Sequence, residues 1–162
     1  MFAVKFGRYI LQPTVIFVAL SFALVLGSIV SHSAIMVAAL GPTAFVLFIT
    51  PHSSAATPRH LVGGHLIGLL IGSIFAIVSA GQMIEPFVSA YPYSLDIIAA
   101  ASVTVCVLLM VLTRTEHAPA AATTLVVLIS GFSWALVFFV SASIGVLCVF
   151  HQLIKPRLYN LV

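Results

Sequence analysis

Six apolar segments divide this sequence, at roughly residues 14–30, 34–50, 61–80, 95–113, 120–130 and 132–150. A helix needs about 20 apolar residues to cross the ~30 Å of hydrocarbon in a bilayer. The first, third, fourth and sixth segments meet that length or nearly do. Of the 162 residues, 62% are hydrophobic and 6% charged, against about 25% charged in an average soluble domain. Too few polar groups remain to coat a surface that faces water. The expected fold class is an all-α integral membrane bundle in one domain, residues 1–162, with about four full spans plus two short or broken helices.

The second and fifth segments are the irregular ones. Gly41-Pro42 interrupts the second, and proline removes a backbone donor and crowds the preceding turn, so a bend or break is expected there. The fifth would make only ~16 Å of helix. Residues 120–150 form either two pieces parted near Gly131 or one long tilted helix. Charge favours two. With Lys5 and Arg8 in the cytoplasm and every segment reversing the chain, Arg59, Arg114, Lys155 and Arg157 also fall inside. Glu85 falls outside. Basic residues confined to one side satisfy the positive-inside rule. One helix over 120–150 would put Lys155 and Arg157 on the wrong side.

The expectation is thus a bacterial inner-membrane protein with both termini cytoplasmic. The first apolar run is too long for a signal-peptide core and no A-x-A site follows it, so it is read as a retained span. The ends "MFAVKFGRY" and "HQLIKPRLYNLV" read as interfacial anchors. Three segments per unit make two half-units, about 14–80 and 95–150, entering from opposite faces. Corresponding broken segments in inverted halves, here with Pro42 and Pro119, point to a transporter site.

Several function classes drop out. A net charge of +3, scattered singly or in pairs, makes no basic stripe for nucleic acid. Cys106 and Cys148 lie deep in apolar runs and read as packing residues. The histidines show no metal-ligand spacing. No Walker loop, dinucleotide fingerprint or nucleophile elbow is present. No cofactor and no enzymatic activity are expected.

Polar residues concentrate in "TRTEHAPAAATT", residues 113–124. From Arg114 at the inner interface, four extended residues at ~3.3 Å each reach toward mid-membrane. Pro119 then starts a helix, with Ala120, Ala121 and Ala122 keeping its first turn uncrowded. The unpaired N–H groups there would suit a small anion. His117 adds a donor whose charge changes near neutral pH, and Glu116 would set its protonation or pair with Arg114. The alternative is a cytoplasmic loop with surface charges. In "TPRHLVGGHLIGLLIG", residues 57–72, Thr57 and Pro58 suit a helix start. Arg59 is a topology anchor or an anion contact. Gly64, Gly68 and Gly72 make a small-residue seam for close helix packing, within the chain or against a second copy. His65 beside that seam must find a partner across helices.

At these residues the sequence resembles the HPP family of integral membrane proteins. In "LTRTEHAPAAATTL", His117, Pro119, Ala120 and Ala122 keep the family's His-Pro-Pro-Ala-Gly-Ala pattern, while Ala118 and Ala121 replace a proline and the glycine. In "TPRHLVGGHLIG", Pro58, Arg59, Gly63, Gly64 and His65 fit, with His60 where asparagine is usual. In "LGPTAFVLF", Gly41, Ala44, Leu47 and Phe48 fit, and Pro42 and Thr43 depart. The resemblance implies a four-spanning protein, from a family of which some members are linked to nitrite transport. The expected function is a permease for a small monovalent anion, candidate nitrite. Its substrate contacts would be His117, Pro119, Ala120, Ala121, Thr43, Arg59 and His65, with Glu116 and Arg114 in gating or coupling. The alternative is a non-transporting membrane scaffold or sensor subunit.

Overall fold

The structure, a computed structural model, describes the backbone of residues 2–30 and 35–162 and the side chains of residues 7, 10–22, 25 and 40–162. The expected roles of Lys5 and Arg8 lie outside these. Among the described residues the order is α1 Phe2–Val30, α2 Ile35–Ile49, a 3-10 turn Ser54–Ala56, α3 Pro58–Ser79, α4 Glu85–Ala90, α5 Ser94–Thr113, α6 Ala118–Ser130, α7 Trp134–Ile154 and a 3-10 turn Lys155–Arg157. The expected all-α bundle is present. Helices α3, α5 and α7 are long and apolar enough to cross a membrane. Helix α1 has 29 residues, while α2 and α6 have 15 and 13. Bulky side chains such as Phe17, Leu112 and Phe138 are about 70% exposed, as a lipid-facing surface requires.

Four boundaries differ from expectation. Helix α1 begins at Phe2, so the leading residues extend the first helix. Helix α2 runs through Pro42 without interruption; it is short, not broken. Helix α4 occupies the connection after α3, where no helix was expected. Helix α6 begins at Ala118, which puts Pro119 second rather than first. The choice over residues 120–150 is clear: α6 and α7 are separate. Gly131 parts them at φ 77°, ψ 160°, backbone that a Cβ would strain.

Helices α1–α3 and α5–α7 contact one another in a symmetric pattern. Helix α1 packs on α2 as α5 packs on α6, α1 on α7 as α5 on α3, and α2 on α7 as α6 on α3. Helix α2 also packs on α6 and α3 on α7, while the contact of α4 with α5 stands outside this pattern. Exchanging α1 with α5, α2 with α6 and α3 with α7 leaves this pattern unchanged. Burial repeats in register as well. The buried Leu40, Thr43, Ala44, Leu47 and Phe48 of α2 correspond, at one constant shift, to the buried Ala120, Thr123, Thr124, Val127 and Leu128 of α6. Leu61, Gly64, His65, Gly68, Leu69, Gly72 and Ala76 of α3 likewise match Leu136, Phe139, Val140, Ser143, Ile144, Leu147 and His151 of α7.

Direction follows from local contacts. A Cβ at Gly64 would meet His117, one at Gly68 would meet Ala120, and one at Gly72 would meet Thr124 and Val127. Helix α6 therefore runs parallel to α3. Asn160 Oδ1 accepts from the His52 N–H at 3.1 Å and Leu161 N–H donates to Ile49 C=O at 3.0 Å. These bonds bring the end of α7 beside the start of α3, so α3 and α7 are antiparallel. Arg59 donates to Thr113 C=O at 3.0 Å, placing the end of α5 there too. Arg59, Arg114, Lys155 and Arg157 thus share one end of the bundle, and Glu85 and Asp96 lie at the other. Trp134, 66% exposed, marks the acidic end.

Candidate binding site at the half-helix crossing

The glycine seam of α3 positions this site. With no side chain at Gly68, the Ala120 carbonyl lies 2.6 Å from where a Cβ would sit, and His117 Cβ lies 2.7 Å from the corresponding point at Gly64. Of the two uses the sequence left open for Gly64, Gly68 and Gly72, the structure places all three against α6 of the same chain. At the matching positions of α7 stand Phe139, Ser143 and Leu147. The halves are therefore unequal, and the close interface is the one that carries the histidines.

His65 is 1% exposed, and both of its ring nitrogens are held. Nε2 is 2.9 Å from Thr43 Oγ1 and Nδ1 is 2.8 Å from Thr123 Oγ1. A neutral imidazole has one donor and one acceptor, and a hydroxyl can serve either, so the arrangement is satisfied. Thr43 and Thr123 are equivalents under the pseudo-two-fold, one on each short helix. Both converge on His65 because its own equivalent is the apolar Val140. Thr123 carries no family motif and sequence reasoning missed it; its match to Thr43 was the available signal. Ala55 and His60 were missed as well.

His117 is 0% exposed, and its ring centroid lies 5.1 Å from that of His65. Its Nδ1 is 2.9 Å from Ala55 C=O. A carbonyl only accepts, so Nδ1 carries a hydrogen, and Nε2 is the acceptor in the neutral ring. That Nε2 is buried with no hydrogen-bond partner. A buried polar atom left unpaired costs about 1–3 kcal/mol, and among the described residues His117 Nε2 shares this state with both ring nitrogens of His151 and with Gln12 Oε1. The backbone at this helix start offers less than expected. Pro119 has no N–H, and Ala120 N–H is bonded to His117 C=O at 2.8 Å.

Gly64 lies six residues into α3, so His117 sits about 9 Å along a helix of about 33 Å. The helix begins roughly a third of the way in, and Thr123, against Gly68, is close to the middle. Pro119 and Ala120 are buried and Ala121 is half-buried. The remaining expected residues lie away from His65. Arg59 is exposed and caps α5. Arg114 is the exposed left-handed C-cap of α5, at φ 54°. Glu116 is exposed and meets His60 at 3.4 Å, not Arg114. Cys106 and Cys148 are free thiols.

No curated protein and no solved structure matches the chain. The family described as HPP, transmembrane region, matches residues 3–159. With almost its whole length matched, and with the histidine and glycine motifs packed against each other at the crossing of two short helices, the chain belongs to the HPP transmembrane family.

Proposed function

We propose that this protein is a permease for a small monovalent anion, candidate nitrite, in a bacterial inner membrane, with the basic end and both termini cytoplasmic. The observation that carries the reading is the buried, unpartnered Nε2 of His117, at the start of a short helix inside an inverted repeat. Protonated, that nitrogen donates to an anion; neutral, it accepts from the conjugate acid. The positive end of the α6 dipole favours the anion at the same place. Thr43, His65 and Thr123 form the rigid floor beneath, and Pro119, Ala120 and Ala121 shape the adjoining turn. Nitrite as candidate comes from the family resemblance.

Vesicles reconstituted with the protein should take up nitrite faster than protein-free vesicles. His117→Ala should remove most of that difference while the protein keeps its elution profile and melting temperature. Equal flux with and without the protein removes the proposal. The closed packing around His65 and His117 supports a second reading, a scaffold or sensor subunit that moves nothing. That protein would copurify with one defined partner and gain no thermal stability from any small anion.

A further inference from the structure

A chain of protonatable groups leads from the basic end toward His117. Glu116, with its side chain 51% exposed, stands 3.4 Å from Nε2 of His60, whose side chain is 21% exposed. On the other edge of the ring, His60 Nδ1 lies 2.7 Å from Thr57 Oγ1. The single hydroxyl hydrogen of Thr57 goes to Ser54 C=O at 2.8 Å. Thr57 Oγ1 therefore accepts from His60, and His60 Nδ1 carries the hydrogen. The neutral ring then presents a bare Nε2 to a carboxyl group. Two acceptors face each other, so the contact is attractive only when a proton sits between them, on Glu116 or on His60.

His60 and Gly64 are one helical turn apart on the same face of α3. His117 occupies the space that Gly64 leaves open, its Cβ 2.7 Å from where a Gly64 Cβ would sit. The relay stops at His117, because both nitrogens of His65 are engaged by threonines. The titratable groups around His117 are therefore His60 and His65 on α3 and Glu116 on its own segment. Arg59 is turned to the end of α5, and Arg114 is exposed.

We infer that Glu116 and His60 form a proton port, passing a proton between water at the basic end and Nε2 of His117, so that anion and proton cross together as a weak acid. The inference rests on the permease reading. A proton leaves water for Glu116, adds to Nε2 of His60 and transfers to Nε2 of His117 as the His60 side chain turns along its helix face. It departs with the anion as the neutral acid. Every residue returns to its starting form, and no net charge moves. Thr57 is a positioning residue that sets the His60 tautomer, its Oγ1 accepting from Nδ1 between transfers.

The test uses vesicles loaded with a pH-sensitive dye, with protein-free vesicles correcting for nitrous acid that leaks through lipid. Wild-type nitrite uptake should acidify the interior in proportion and should not respond to an imposed membrane potential. His60→Asn and the surface change Glu116→Gln should each slow net uptake at least about ten-fold. Nitrite-for-nitrite exchange should persist in both, since His117 then keeps its proton. Uptake that builds an inside-negative potential without acidification overturns the inference and leaves the permease standing. So does equal slowing of exchange and net uptake, or slowing of neither. No protein-dependent nitrite movement in any mode removes both readings.

Discussion

At the residue scale, hydrogen-bond bookkeeping separates the two central histidines. His65 has a partner for each nitrogen, and His117 has one partner and one bare nitrogen. The first is held on both edges, and only the second has a nitrogen left for the proposed ligand. Thr123→Val keeps the side-chain volume but strands one nitrogen of His65. It should destabilise the protein by about 1–3 kcal/mol, read as a lower melting temperature in detergent. An unchanged melting temperature would mean that the clamp contributes nothing. His65 stood out because an imidazole in an apolar span needs a partner, and His117 because it adds a donor of switchable charge before the Pro119 helix start. Their division of roles was not legible, since it depends on which groups approach from α2, α6 and the turn at Ala55. Arg59 shows the converse: a cation beside a motif reads as a ligand contact, yet the end of α5 offers it a carbonyl.

At the element scale, the glycines on α3 and α7 make opposite predictions. Gly68→Ala drives a Cβ to 2.6 Å from the Ala120 carbonyl. A helix backbone cannot yield as a flexible side chain would, so a loss of about 1–3 kcal/mol is expected. Gly145→Ala, with nothing within 4 Å, should hold or slightly raise the melting temperature. Gly131→Ala should cost about 1–3 kcal/mol through its positive φ and loosen the break between α6 and α7. Equal melting temperatures for Gly68→Ala and Gly145→Ala would contradict the packing described. The six long apolar segments were readable from hydropathy, and the break at Gly131 from charge placement, but the full 29 residues of α1 were not. The continuous α2 was not readable, because a proline alone does not say whether neighbouring helices hold its turn together. Helix α4 was missed because its six residues are too few to show a period.

At the scale of the whole molecule, the account rests on two inverted units meeting at short helices. The symmetric contact pattern and the antiparallel run of α3 and α7 fit an inversion, and the glycine seam breaks the symmetry on one side. Orientation is testable by labelling. In a protein whose Cys106 and Cys148 are replaced by alanine, Met83→Cys at the acidic end should react with an impermeant maleimide in intact cells. Arg157→Cys should react only after permeabilisation. Labelling of both from outside would refute an odd number of crossings between these positions. In the sequence the expected halves rest on a hydropathy match alone; the matched burial of α2 with α6 and of α3 with α7 emerges only from the packing.

The central claim is that His117 Nε2 is where a small anion binds, and nitrogen NMR of histidine-labelled protein in detergent tests it most directly. Nitrite titration should shift the His117 Nε2 resonance saturably and leave the two nitrogens of His65 nearly unmoved. A His117 resonance that stays fixed at high nitrite, or that moves no more than those of the surface histidines, would contradict the account.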